Sequence, residues 1–164
     1  MRFVLALCVV VGCTLCGSAM AGTHRRRVCL LEALLRGIKL LRLHMISMFE
    51  PVQQALSATE CPMLEGVVAH MKPGMSAKEA WNALRAAEAR RGFDALSSSD
   101  LEALDVLFSQ LGESGRDQQE LLLNATLDVL DRNLDLARQR NAEADRLYIS
   151  LGALTGLMIA LIVI

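Results

Sequence analysis

Three histidines, five cysteines and a run of spaced aspartates are the residues of this 164-residue chain whose types invite chemistry. His24, His44 and His70 are far apart, and none has a second ligand three or four residues on, the spacing that places two metal-binding side chains on one helix face. Asp128, Asp131 and Asp135 do share a helix face. Arg132 follows the first of them at i+4 and Arg138 follows the last at i+3, so the pattern reads as a solvated ion-pair face and not as a metal cage. Cys8, Cys13 and Cys16 fall in one apolar run, while Cys29 and Cys61 are too distant for a zinc knuckle. An odd number of cysteines without regular spacing is no disulfide framework. No glycine-rich run precedes Lys-Ser or Lys-Thr, and no nucleophile elbow or pair of buried carboxylates is recognisable. The residues point to a protein that is not an enzyme, with no cofactor, no metal and no small-molecule substrate.

Charge is balanced, 17 basic residues against 18 acidic, so no net field favours nucleic acid as a partner. Its distribution is uneven. Neither Phe3–Thr23 nor Leu147–Ile164 contains an Asp, Glu, Lys or Arg. A bilayer core of roughly 30 Å takes about 20 helical residues, with about 17 as the lower bound, and both ends reach that length. Tyr148 stands where an interfacial aromatic would, and Arg146 can reach back to headgroups. The expected organisation is an N-terminal transmembrane segment over 1–23, a cytoplasmic helical domain over 24–146 and a C-terminal transmembrane helix over 147–164. Arg25, Arg26 and Arg27 after the first segment, with Arg146 before the second, would keep the domain in the cytoplasm. A second reading of the first segment stays open. Arg2, the apolar run and Ala19-Met20-Ala21 also describe a cleavable signal peptide, and Val10-Val11-Gly12-Cys13 loosely resembles a lipidation site. Cleavage near Ala21 or lipidation at Cys13 would make the chain an exported, tail-anchored helical receptor or lipoprotein.

The middle is helical by periodicity. Leu31, Leu34, Leu35, Ile38, Leu41, Met45, Met48 and Phe49 recur at three and four, predicting one long amphipathic helix over Val28–Phe49. Pro51 and Pro62 bound two short helices, and Lys72-Pro73-Gly74 is a turn. Ser76-Ala77-Lys78-Glu79 is a capping box opening a helix to Gly92, with Trp81, Leu84 and Ala87 or Glu88 on its buried side. A second box, Ser99-Asp100-Leu101-Glu102, would start the helix carrying Leu101, Leu104, Leu107, Phe108 and Leu111. Gly112 to Gly115 break that helix. The last one begins near Arg116-Asp117 and carries Leu123, Leu127, Leu130, Leu134 and Ala137 as a short heptad seam. No break signal follows, so it should continue into the apolar tail, where Gly152 and Gly156 form a GxxxG that lets another transmembrane helix approach closely. With strand signals almost absent, the expected fold is all-α: an antiparallel bundle of five to six helices flanked by two transmembrane helices.

Phe108-Ser109-Gln110-Leu111-Gly112, Gly115-Arg116-Asp117-Gln118-Gln119 and the ending Ser150-Leu151-Gly152-Ala153-Leu154-Thr155-Gly156-Leu157, set between two apolar ends, resemble the stage III sporulation protein AB family. The layout matches over the whole chain, and residue-level similarity is greatest from Phe108 onward. The resemblance implies a membrane protein of endospore-forming bacteria, made in the mother cell and held in the outer forespore membrane. It would belong to the assembly that connects mother cell and forespore. It further implies a helical domain similar to the cytoplasmic domains of the type II secretion platform protein. Its partners would be the stage III sporulation ATPase, of the AA type, and the other stage III sporulation A proteins. The family's polar turn maps onto Gly115, Asp117, Gln118 and Gln119, which are the candidate partner contacts.

Overall fold

A computed structural model describes residues 22–88 and 93–163. Among them are six α-helices and no strand: α1 (Gly22–Arg42), α2 (Val52–Ser57), α3 (Pro62–His70), α4 (Ala77–Glu88), α5 (Ser98–Gln110) and α6 (Arg116–Val163). A π-helical turn, Leu43–Ser47, follows α1 directly. The chain divides into a helical unit, Cys29–Asp135, and a second unit made of Leu136–Ile164 with the residues before Cys29. Of the second unit, the structure describes the start of α1 and the helical course of α6 through Val163.

Inside the helical unit, the periodicity read from the sequence is the periodicity of burial. Leu31, Leu34, Leu35, Ile38 and Leu41 on α1 are buried, as are Leu104, Leu107 and Phe108 on α5 and Leu123, Leu127, Leu130 and Leu134 on α6. Neighbours in sequence pack together: α2 on the π turn and on α3, α3 on α4, and α4 on α5. The first and last helices meet through side chains. Arg42 near the end of α1 donates to Asn124 Oδ1, and Arg116 at the start of α6 donates to the Ile46 carbonyl. These pairings run in opposite directions along the two helices, so α1 and α6 are antiparallel.

Trp81 is the largest core residue. It stacks on Phe108 at 4.7 Å between centroids and meets Phe93 edge-on at 5.5 Å. Its indole N–H donates to Asp105 Oδ1 at 2.6 Å, and Arg85 donates to both oxygens of the same carboxylate. A buried indole needs a partner, and here that partner is itself held by a charge-assisted pair.

Three expectations require correction. The amphipathic helix does not run as one α-helix to Phe49: it starts at Gly22, and its α geometry ends at Arg42. The wider π turn shifts the register, so Ile46 is buried while Met48 and Phe49, expected on the apolar face, are 53% and 71% exposed. The capping box of α5 lies two residues earlier than the Ser99–Glu102 frame. Ser97 caps the helix, with Asp100 Oδ2 accepting from the Ser97 amide at 2.8 Å. Three consecutive serines offer three frames, and burial chooses among them: Asp100 is fully buried and accepts from Asn133 of α6 at 2.8 Å, whereas Glu102 is exposed. On α4, Ala87 is exposed, and Ala77 and Ala80 share the buried side with Trp81 and Leu84 instead. The capping box at Ser76 and Glu79 is present with both reciprocal bonds.

The two flanking transmembrane helices are not confirmed. Among the described residues, no helix is long and apolar enough to cross a membrane. Of the first apolar segment, residues 3–21 lie outside the described residues, as do the side chains of 144–149 and 151–164.

Gly37 marks a close approach of two helices in the unit. A Cβ there would lie 2.8 Å from Leu64 Cδ1 and 2.9 Å from Cys61 Cβ, so α1 and α3 meet with no room for a methyl group. Alanine would gain up to about 1 kcal/mol of helix propensity but would overpack a site where overpacking costs roughly 1–3 kcal/mol. Gly37→Ala should therefore lower the melting temperature of the detergent-solubilised full chain by several degrees, read by circular dichroism at 222 nm.

Candidate functional site

The polar turn between α5 and α6 is built by backbone demands. Gly112 adopts a left-handed conformation (φ +84°), and a Cβ on it would sit 2.8 Å from Val52 Cγ2. Glycine alone meets both conditions. Gln119, one turn into α6, then closes the turn from inside. Its Nε2 donates to the Gln110 carbonyl at 2.8 Å and to Ser114 Oγ at 2.7 Å, while its Oε1 accepts from the Gly112 amide at 3.3 Å. Its own amide bonds the Gly115 carbonyl at 2.9 Å. Gln119 is only 4% exposed.

The four candidate contact residues thus divide. Gly115, Asp117 and Gln118 are exposed, and no atom lies within 4 Å of where a Gly115 Cβ would be. Gln119 faces inward as the turn's internal brace. One signal in the sequence points to this: Gln119 stands four and eight residues before Leu123 and Leu127, in register with the buried seam.

Beside this turn lies the π turn. His44 Nδ1 and Glu50 Oε2 are 2.8 Å apart, and the Glu50 amide donates to the His44 carbonyl at 3.1 Å, so the chain folds back sharply. Phe49, at the apex, has φ +59°, a left-handed conformation that is uncommon for an aromatic residue. Its ring is covered on one face by the Arg116 guanidinium, 4.2 Å from the ring centroid. Arg116 therefore ties the two turns together through a carbonyl and an aromatic face, a geometry that its planar guanidinium suits and a lysine would not. Leu43, Met48 and Phe49 are exposed around it. Apolar spacing assigns the latter two to the core, because a π turn leaves no mark in it.

Several other candidate residues lie on α1, α3 and α6. Arg25, Arg26 and Arg27 lie in the first turns of α1 and Arg146 lies on α6. Gly152 and Gly156 lie on α6, in a stretch whose side chains are outside the described residues. His70 bonds the Gly66 carbonyl at 2.9 Å. Cys29 and Cys61 are free thiols, exposed and buried respectively, and Cys8, Cys13 and Cys16 lie outside the described residues. Among the described residues, no group of three or more His, Cys, Asp or Glu is placed to hold a metal ion.

Removal of Gln119 tests its role as brace. Gln119→Ala leaves the Gly112 amide, the Gln110 carbonyl and Ser114 without their buried partner, at a cost of about 1–3 kcal/mol. Gln118→Ala, on the exposed side, should fall within about 0.5 kcal/mol of wild type. Urea unfolding of the two variants followed by Trp81 fluorescence checks the contrast.

A family model described as stage III sporulation protein AB matches residues 2–164. No curated protein and no solved structure matches the chain.

Proposed function

From the premise that this chain belongs to the stage III sporulation protein AB family, and so has a role in sporulation, we propose that it is a non-enzymatic platform component of the channel between mother cell and forespore. In this reading the apolar ends, Phe3–Thr23 and Leu147–Ile164, cross the outer forespore membrane. Their inner arginines, Arg25 to Arg27 and Arg146, keep the helical domain on the mother-cell cytoplasmic side. The domain acts as the cytoplasmic domains of the type II secretion platform protein do, docking the stage III sporulation ATPase and sibling stage III sporulation A proteins.

The observation that carries the docking role is the rigid surface at the start of α6. Asp117 and Gln118 are exposed on a turn that Gln119 holds from beneath, and Phe49 stands out beside it, backed by Arg116. An exposed aromatic with an arginine behind it, on a pre-formed loop, is the type of anchor around which protein interfaces gather binding energy.

The test uses the full chain in sporulating cells. A tagged wild-type chain should co-purify with the ATPase and membrane siblings after mild solubilisation. Phe49→Ala combined with Asp117→Lys and Gln118→Lys should lose the ATPase and reduce heat-resistant spores at least about tenfold, with the protein still accumulating. Retention of all partners and full spore yield in that variant would remove this surface from the account. Intact-mass measurement of the mature chain addresses the membrane reading separately: a first residue at Met1 agrees with an anchor, and a chain beginning after Ala21 or lipidated at Cys13 selects the exported form.

A further inference from the structure

A groove made of two adjoining cavities that share lining residues runs along one side of the α1–α6 pair. It comprises a cavity of about 570 Å³ floored by Leu35 and Leu127, and a smaller one of about 180 Å³ beneath Leu43 and Ile46. Lys39 and Arg42 belong to both. The wall on the α1 side is therefore basic. The wall on the α6 side is acidic, with Glu120 in the smaller cavity and Asp128 and Asp131 in the larger. All five charged residues are exposed. Among the described residues, no ion pair joins Lys39 or Arg42 to these acids across the groove. The walls run parallel and carry opposite sign; Arg42 reaches the neutral Asn124 across them and, among the described residues, meets no carboxylate there.

We propose that this groove is the self-association surface of the protein and that its occupant is a second copy of this chain. A two-fold interface sets one patch against itself, so the patch must be self-complementary. A basic row beside an acidic row meets that requirement for one axis only. With the axis along the groove, the Lys39 and Arg42 wall of each copy faces the Asp128 and Asp131 wall of the other. With the axis across it, like charges would meet. The first arrangement makes a four-helix layer of two α1–α6 pairs in which every neighbouring helix is antiparallel, the geometry of an up-down bundle. Because α1 and α6 are antiparallel, the chain enters the helical unit at Cys29 and leaves it at Asp135 from the same end. An axis along the groove keeps those ends of both copies on one side, as two copies anchored in one bilayer require. This last argument rests on the membrane reading above; the charge argument does not.

The experiment measures the mass of the detergent-solubilised full chain by light scattering after size exclusion, at low and high salt. Wild type should be a dimer that weakens as salt rises. Lys39→Glu with Arg42→Glu makes both walls acidic, and Asp128→Lys with Asp131→Lys makes both basic. Each variant alone should associate more than about tenfold more weakly. Mixed in equal amounts, the two should pair again, since each wall then meets its opposite. That recovery is a result two misfolded chains could not give. The milder Lys39→Gln with Asp131→Asn should weaken the wild-type dimer in the same direction. A monomeric wild type, or reversed chains that fail to pair when mixed, would overturn the proposal. Undiminished dimers in both reversed variants would overturn it too, assigning association to the apolar ends and leaving the membrane reading intact.

Discussion

Arg116 opens α6 with its guanidinium on the Ile46 carbonyl and over the Phe49 ring, a contact between residues 70 positions apart. That contact fixes where the last helix starts relative to where the first one stops. The chain between them is four short helices that pack each on the next. Such local packing is entropically inexpensive, whereas closing α6 back onto α1 bears the loop-closure cost of the whole unit. The closure is held from several sides: Arg42 to Asn124 further along the pair, Asn133 to Asp100 on the α5 side, and the leucine seam beneath. Alignment of the groove walls and exposure of the polar turn both depend on the register this closure sets.

Burial follows the leucine spacing on α5 and α6 nearly residue for residue, because two or three turns of apolar side chains on one face have no other way to leave water. Spacing reveals a face but not a bend. The π turn at Leu43–Ser47 lies within an unbroken apolar pattern, and the bond that holds it open comes from Arg116. Local sequence contains no trace of that partner. The serine run before α5 shows the same limit on a smaller scale. Three frames satisfy the rule for an N-cap, and only the frame that buries Asp100 beside Asn133 also satisfies the neighbouring helix.

The polar turn combines both situations. Gly112 and Gly115 announce a break, and the resemblance to the stage III sporulation protein AB family points to the residues after it. Which of them face outward is settled by hydrogen bonding. Gln119 makes three side-chain bonds inside the turn and leaves Asp117 and Gln118 to the surface. A turn braced in this way keeps its shape without a partner, so a partner binding there would meet little ordering cost. The exposed ring of Phe49 extends that surface onto the π turn, where Arg116 covers one face of it.

The α1–α6 pair closes the helical unit, with Arg116 setting its register. Hydrogen–deuterium exchange of the full chain, followed by mass spectrometry, addresses it most directly. The amides of residues 29–42 and 116–135 should exchange together as the slowest cooperative unit, and Arg116→Ala should speed exchange in both segments alike. Independent exchange of the two segments, or a response to Arg116→Ala confined to the turn around it, would show that α1 and α6 are not the closing pair.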